Sequence, residues 1–204
     1  MISRLRAGFG RLFTPLAKGL LRLGVSADAV TVVGTLGVVV AALTLFPLGY
    51  LFAGTMVCWF FAMSDALDGL MARLSGRTGP WGAFLDSTLD RFADGAIFAG
   101  LVVWLAGPGE DPLGAAFGLA CLVVGSIVPY ARARAEGIGV RADVGIAARG
   151  DRLVLALTAA GLVGIGVHQA LLTVVLGLLA AASLVTVVQR MLVVRRQVLG
   201  AGQE

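Results

Sequence analysis

Residues 29–64 read AVTVVGTLGVVVAALTLFPLGYLFAGTMVCWFFAMS, 36 consecutive positions without a charge. Phe46-Pro47-Leu48-Gly49 is the turn signal in this run, so it divides into two apolar segments of about 20 residues, the length a helix needs to cross a bilayer. Two such segments joined by a tight turn form a helical hairpin in lipid. Leu153–Gln189 repeats the pattern over 37 uncharged residues, with Gly164-Ile165-Gly166 and His168-Gln169 near its middle. Between the hairpins, two further spans run from about Gly82 to Ala106 and from about Pro112 to Ala133, joined by the polar turn Gly107-Pro108-Gly109-Glu110-Asp111. The pattern predicts an all-α integral membrane protein with six transmembrane helices.

Composition agrees. Of 204 residues, 58% are hydrophobic and 14% charged, against about 25% charged in an ordinary soluble domain. With a mean hydropathy of +0.94, one water-facing domain of this length cannot bury its apolar surplus. The charges then set the orientation. All 16 Lys and Arg fall on alternate connections: Arg4, Arg6, Arg11, Lys18 and Arg22 before the first span, Arg73, Arg77 and Arg91 around the second connection, Arg132, Arg134, Arg141, Arg149 and Arg152 around the fourth, and Arg190, Arg195 and Arg196 at the end. The positive-inside rule predicts that both termini and these connections face the cytoplasm, with the protein in the cell membrane. The net charge of +4 is then a matter of topology and anionic head groups, with no call on nucleic acid.

In residues 1–24 the cations leave no uninterrupted hydrophobic region for a signal peptide. Ile2, Leu5, Phe9, Leu12, Phe13, Leu16 and Leu20 recur at steps of three and four, the spacing of an amphipathic juxtamembrane helix lying at the interface. A mitochondrial-type targeting peptide shares that composition and is the other reading. The expected organisation is this helix over 1–24, a membrane domain over 25–198 and a tail over 199–204. Cys58 and Cys121 lie in apolar runs and read as buried thiols.

Five of the 12 acids, Asp65, Asp68, Asp86, Asp90 and Asp94, sit at the arginine-bearing ends of the second and third spans. A carboxylate at membrane depth costs roughly 2.5 to 3.5 kcal/mol and calls for a partner. Spacings of three and four put each set on one helical face, and the short connection between the helices lets the faces converge. Ion pairs with Arg73, Arg77 and Arg91 at the membrane edge are one way to neutralise them. Four facing carboxylates exceed what two arginines balance, and oxygen-only ligands suit a hard divalent ion such as Mg²⁺ or Mn²⁺. Two such ions roughly 3.5 to 4 Å apart would polarise a phosphoryl group and activate an oxygen nucleophile. With no Cys or His contributing, zinc is disfavoured. Gly69 and Ala72 follow Asp68 with small side chains that admit a ligand or serve helix packing. Arg73 can hold a diphosphate in a bidentate manner, and Thr78 in the tight Gly76–Gly82 connection can donate to a phosphate or a base.

Written out, this stretch is Asp65-x2-Asp68-Gly69-x2-Ala72-Arg73-x8-Gly82-x3-Asp86-x3-Asp90, and it resembles the signature of the CDP-alcohol phosphotransferase family at all eight defined positions. The resemblance implies that Asp65 and Asp86 each contact both metals, that Asp68 holds one, and that Asp90 holds the other and acts as general base. It also implies that Gly69 and Arg73 contact the CDP group of CDP-diacylglycerol, with Ala72, Thr78 and Gly82 beside it. The acceptor hydroxyl would attack the lipid-linked phosphate and expel CMP. Ser26–Thr31 resembles the family's segment before the first span, which helps hold the nucleotide through Asp28 and Thr31. These two fit equally well as an N-cap and an early helix residue. Asp94 lies one turn beyond the signature, where it can support a ligand.

The arginines bear on the acceptor. Guanidinium groups from three helix ends would suit an alcohol that itself carries a phosphate, although each fits equally as a topological anchor. Tyr130–Glu136, Ala148–Arg152 and Arg195-Arg196-Gln197 resemble segments of the family's actinobacterial phosphatidylinositol phosphate synthases. That implies inositol phosphate as acceptor, a homodimer, and Arg132, Arg152 and Arg195 on the acceptor phosphate. A branch using glycerol 3-phosphate is the alternative. An ion-coupled transporter also buries acids among helices, nearer the bilayer midplane.

Overall fold

The computed structural model describes residues 13–76 and 78–200. The first 12 residues of the expected interfacial helix, Arg77 and residues 201–204 of the tail lie outside them. The described chain is helical and without strands: α1 (13–22), α2 (Ala27–Leu45), α3 (Leu51–Ala62), α4 (Ser64–Ser75), α5 (Pro80–Ala106), α6 (Pro112–Glu136), α7 (Arg149–Gly164) and α8 (Ala170–Gly200).

The first hairpin closes where its turn residues stand. Tyr50 N–H donates to the Leu45 carbonyl at 2.9 Å and Gly49 N–H to Phe46 at 2.8 Å. Gly49 takes φ +83°, the paired bonds and left-handed glycine that end helices. The same pair, Val167 to Leu162 and Gly166 to Val163, ends α7 in the second hairpin. Down the first hairpin the partners step in opposite directions along α2 and its return. A side chain at Gly37 would strike Phe61, one at Gly34 would strike Ser64, and Thr31 reaches Asp68. The return helix is interrupted at Met63, where Ser64 Oγ turns back to donate to the Phe61 carbonyl at 2.6 Å. Such back-bonding competes with the helix ladder and bends it.

Four helical stretches are long and apolar enough to cross a membrane: Ala27–Leu45, Leu51–Ser75, Pro112–Glu136 and Ala170–Gly200. Within them only 28–33% of the most apolar window is buried by the protein itself. Val33, Val40 and Leu178 are 60% or more exposed, which water would not favour and lipid does. The protein is therefore a membrane protein. In α5 the charges of Asp86, Asp90, Arg91 and Asp94 fall from its second turn to just past its middle, and α7 has 16 residues, so neither stands among the four.

The chain forms two compact units. One comprises Met1–Ala41 with Met56–Ala93, the other Ala42–Thr55 with Asp94–Glu204. In the first, Ala17 of α1 is buried with Leu67 and Met71 of α4, and Phe13 and Leu20 pack on that cluster. Leu16, from the face expected to meet lipid, is half exposed. In the second, α6 and α8 run parallel. Asp111 bonds Thr173, Cys121 Sγ lies 3.1 Å from the Leu176 carbonyl, and Arg190 reaches the Val128 carbonyl. Gly114, Gly118, Cys121 and Gly125 form the buried side of α6, the small-residue stripe that lets membrane helices approach closely. Helix α7 runs antiparallel to the start of α3: Thr55 donates to the Leu157 carbonyl, and Gly164 abuts Phe52.

Candidate metal and nucleotide site

Helix α4 presents Asp65 and Asp68 one turn apart, and its end is fixed by Gly76 at φ +68°, whose N–H reaches the Ala72 and Arg73 carbonyls. After the short connection, α5 presents Asp86. Carboxylate oxygens of Asp65, Asp68 and Asp86 lie within 4.8 Å of one another, Asp68 buried and the other two exposed. Three like charges at that separation repel unless a cation joins them. The donors are all oxygen, from short carboxylates on two rigid helices, which fits a hard divalent ion. Asp90, one turn farther along α5, has its Oδ2 3.7 Å from Arg91 Nη2.

Thr31 Oγ1 donates to Asp68 Oδ2 at 2.6 Å, with the Ala27 carbonyl as a second acceptor at 3.1 Å. Thr31 is 7% exposed. This hydroxyl, which the sequence expects at the nucleotide, fixes the orientation of the buried carboxylate, the kind of support that ligands of a metal commonly receive. The N-cap of α2 is Ser26, whose Oγ accepts from Ala29 N–H at 3.1 Å. Asp28 is left to another partner, Trp81, whose indole N–H donates to Oδ2 at 3.0 Å. The sequence reading did not foresee this bond, which joins residues 53 positions apart.

Asp28, Thr78, Trp81 and Gly82 line one cavity of about 840 Å³ with Ser26, Ser75 and Gly79, within the range of small-molecule sites. Apart from its chain neighbours and its own helix backbone, nothing described lies within 4 Å of where a Gly82 side chain would begin, and beside Gly69 only Arg73 Nη1 does, at 3.7 Å. Neither glycine is required by packing of the described protein, so both leave room for a ligand. Three of the expected nucleotide residues, Asp28, Thr78 and Gly82, thus meet at the cavity, while Gly69, Ala72 and Arg73 follow the acids along α4.

The expected acceptor residues lie in the second unit. Arg132 is exposed, 2.9 Å from both Glu136 and Asp143. Arg152 is 3% exposed and donates from Nη1 to the Gly125 carbonyl at 3.1 Å. Arg195 lines a groove with Arg134 and Arg190. Asp94 receives Arg149 Nε at 3.1 and 3.3 Å, tying α5 to α7. The loop after α6 is laced to α8. Thr186 Oγ1 accepts from Ile146 and Ala147 N–H at 3.2 and 3.1 Å, Arg190 Nε donates to Val144, and the Gln197 amide exchanges both bonds with the Arg141 backbone.

Comparison with known proteins matches this geometry to a lineage. Residues 25–148 match the family model described as CDP-alcohol phosphatidyltransferase. The chain is 50% identical over 198 residues to the phosphatidylinositol phosphate synthase of Streptomyces avermitilis, covering 94% of this chain and 81% of that protein. It is 45% identical to that of Cutibacterium acnes, covering 96% and 98%. The crystal structure of the Mycobacterium tuberculosis phosphatidylinositol phosphate synthase with CDP-DAG bound superposes with a TM-score of 0.87 at 46% identity, over 90% of this chain and 94% of that one. The same protein in complex with manganese and citrate gives 0.86, over 89% and 88%. With the signature acids on facing helices and these relatives spanning nearly its whole length, the chain belongs to the CDP-alcohol phosphatidyltransferase family.

Proposed function

We propose that this enzyme transfers the phosphatidyl group of CDP-diacylglycerol to the hydroxyl of inositol phosphate and releases CMP. The observation that carries the reading is the convergence of Asp65, Asp68 and Asp86 on α4 and α5, in a chain 45–50% identical to phosphatidylinositol phosphate synthases. Two divalent ions, Mg²⁺ or Mn²⁺, held by Asp65, Asp68, Asp86 and Asp90, would supply the electrostatic stabilisation that phosphoryl transfer needs. The manganese complex of the M. tuberculosis relative supports the choice of ion.

The chain's own residues divide the remaining work. Asp28 and Thr78 orient the cytidine end in the 840 Å³ cavity. Arg73, beside the open flank of Gly69, contacts the diphosphate, and Ala72 and Gly82 leave space for it. Thr31 holds Asp68 in place. Asp90 accepts the hydroxyl proton as the acceptor oxygen bonds to the phosphorus that carries diacylglycerol. The bond from that phosphorus to the bridging oxygen then breaks, and its electron pair leaves with CMP. Arg132, Arg152 and Arg195 are assigned to the acceptor phosphate, a role that guanidinium geometry suits.

The six expected spans complete the reading, with α5 and α7 as the third and fifth. The antiparallel course of α7 against α3 and the parallel course of α6 and α8 support alternating crossings. Both termini and the site face the cytoplasm of the cell membrane, residues 25–198 act as one membrane domain, and the working form is a homodimer. Purified protein with labelled CDP-diacylglycerol, Mg²⁺ or Mn²⁺, and inositol phosphate competing against glycerol 3-phosphate, serine and inositol tests the proposal. CMP release with preference for inositol phosphate is expected. Preference for glycerol 3-phosphate would reassign the acceptor, and no CMP with any alcohol would sink the transferase reading.

A further inference from the structure

Trp81 stands in the first turn of α5 and is 62% exposed. An aromatic ring so open contributes little to packing. Its one polar atom is nevertheless engaged, the indole N–H donating to Asp28 Oδ2 at 3.0 Å. Both residues line the 840 Å³ cavity. Asp28 is not needed to cap α2, since Ser26 does so. Left alone, an aspartate side chain turns about two torsions, the second of them broad. The indole holds one of its oxygens and leaves Oδ1 for a ligand.

Asp28 and Thr31 are three residues apart, on one face of α2. Thr31 bonds Asp68 of α4, and Asp28 bonds Trp81 of α5. The start of α2 is thus tied to both acid-bearing helices, once beside the metal ligands and once at the cavity. Among the described residues of the Gly76–Gly82 connection, the Trp81 bond is the one hydrogen bond that reaches α2. We propose that Trp81 is a positioning residue for the nucleotide, fixing the Asp28 carboxylate in the pose that receives the cytidine end of the donor, a role that rests on the reading of this cavity as the nucleotide site. The bond lies one to three helical turns from Asp86 and Asp90, so it acts on nucleotide binding and not on the transfer step.

CMP, which carries the nucleotide without the lipid, is the probe. Its affinity for the purified full-length protein in detergent with Mg²⁺ is measured by calorimetry, alongside steady-state kinetics with CDP-diacylglycerol. Trp81→Phe keeps an exposed ring and removes the donor. It should weaken CMP about fivefold, since a bond this open to solvent is worth less than a buried one, and raise KM for CDP-diacylglycerol to a similar degree with kcat within about twofold. Asp28→Ala should weaken CMP as well. Adding Trp81→Phe to Asp28→Ala should weaken it no further, because the bond is already gone. Unchanged or tighter CMP binding by Trp81→Phe, or a fall in kcat with KM intact, would overturn the proposal. So would a further fivefold loss in the Asp28→Ala background, the mark of a ring that acts as an interfacial anchor. A parent protein that does not bind CMP would remove the nucleotide reading of the cavity, and the proposal with it.

Discussion

Thr31 shows what a single hydroxyl does at this site. Its bond to Asp68 at 2.6 Å fixes one carboxylate oxygen and leaves the other for a cation. Thr31→Val keeps the shape and removes the donor, so Mn²⁺ affinity measured by titration should fall about 10- to 100-fold, and Thr31→Ser should restore most of it. Asp90 is tested by a different split. Asp90→Asn should lower kcat by about 10²- to 10⁴-fold, the usual contribution of a positioned general base, with little change in KM for CDP-diacylglycerol. A matching rise in KM with kcat intact would remove Asp90 from proton transfer. The cluster of Asp65, Asp68 and Asp86 was legible in the sequence because acids at membrane depth are expensive and their spacing shares a face. The partner of Asp68 was not legible from hairpin counting, since residues equally distant from the Pro47-Leu48 turn oppose Thr31 to Ser64, whereas Thr31 bonds Asp68, one turn farther along the return. The Trp81 bond to Asp28 had no signal either, because it depends on how the Gly76–Gly82 connection folds back.

At the scale of elements, turn chemistry marked the helix ends well: Phe46–Gly49 and Gly107–Asp111 fall between helices, and Gly164–Gly166 begins on the last residue of α7. The break at Met63 was not readable, since an uncharged run carries no mark of where a serine turns back on its own helix. The lacing of the loop after α6 onto α8 was equally hidden, because Thr186 sits in an apolar run and reads as a tolerated small polar residue. Thr186 is fully buried and serves two backbone donors while itself donating to Ala182. Thr186→Val should leave Ile146 and Ala147 N–H without an acceptor, and the buried Ala147 donor should cost about 1–3 kcal/mol. Thermal unfolding in detergent would register that loss, while a Ser replacement should recover it.

For the molecule as a whole, cation placement and apolar run lengths predict the order and direction of the helices, and the two readable hairpins match. Hydropathy alone is weaker for α5, where the acids reduce the apolar signal, and for the short α7. Asp111, outside the spans, ties the turn before α6 to α8. The Thr173 hydroxyl, then the Gly114 N–H, hold its carboxyl below the ordinary carboxylate range. A depressed value in the folded state stabilises above the unfolded value of about 3.9, and that contribution is lost as pH falls through the folded value. Between about pH 6 and pH 3 the thermal midpoint of the parent should therefore fall more steeply than that of Asp111→Asn. Equal slopes would show that this carboxyl does not anchor the turn.

The clasp between Thr31 and Asp68 couples ion occupancy to the lengthwise seating of α2. A slip of one residue shifts the helix by about 1.5 Å, enough to carry the hydroxyl out of bonding range of Oδ2. A cation that grips Asp68 in its clasped pose therefore also opposes sliding of the hairpin, by the mass action that favours whichever state binds the ligand. Saturating the pocket should slow amide hydrogen exchange along the first turns of α2, and emptying it should let them breathe.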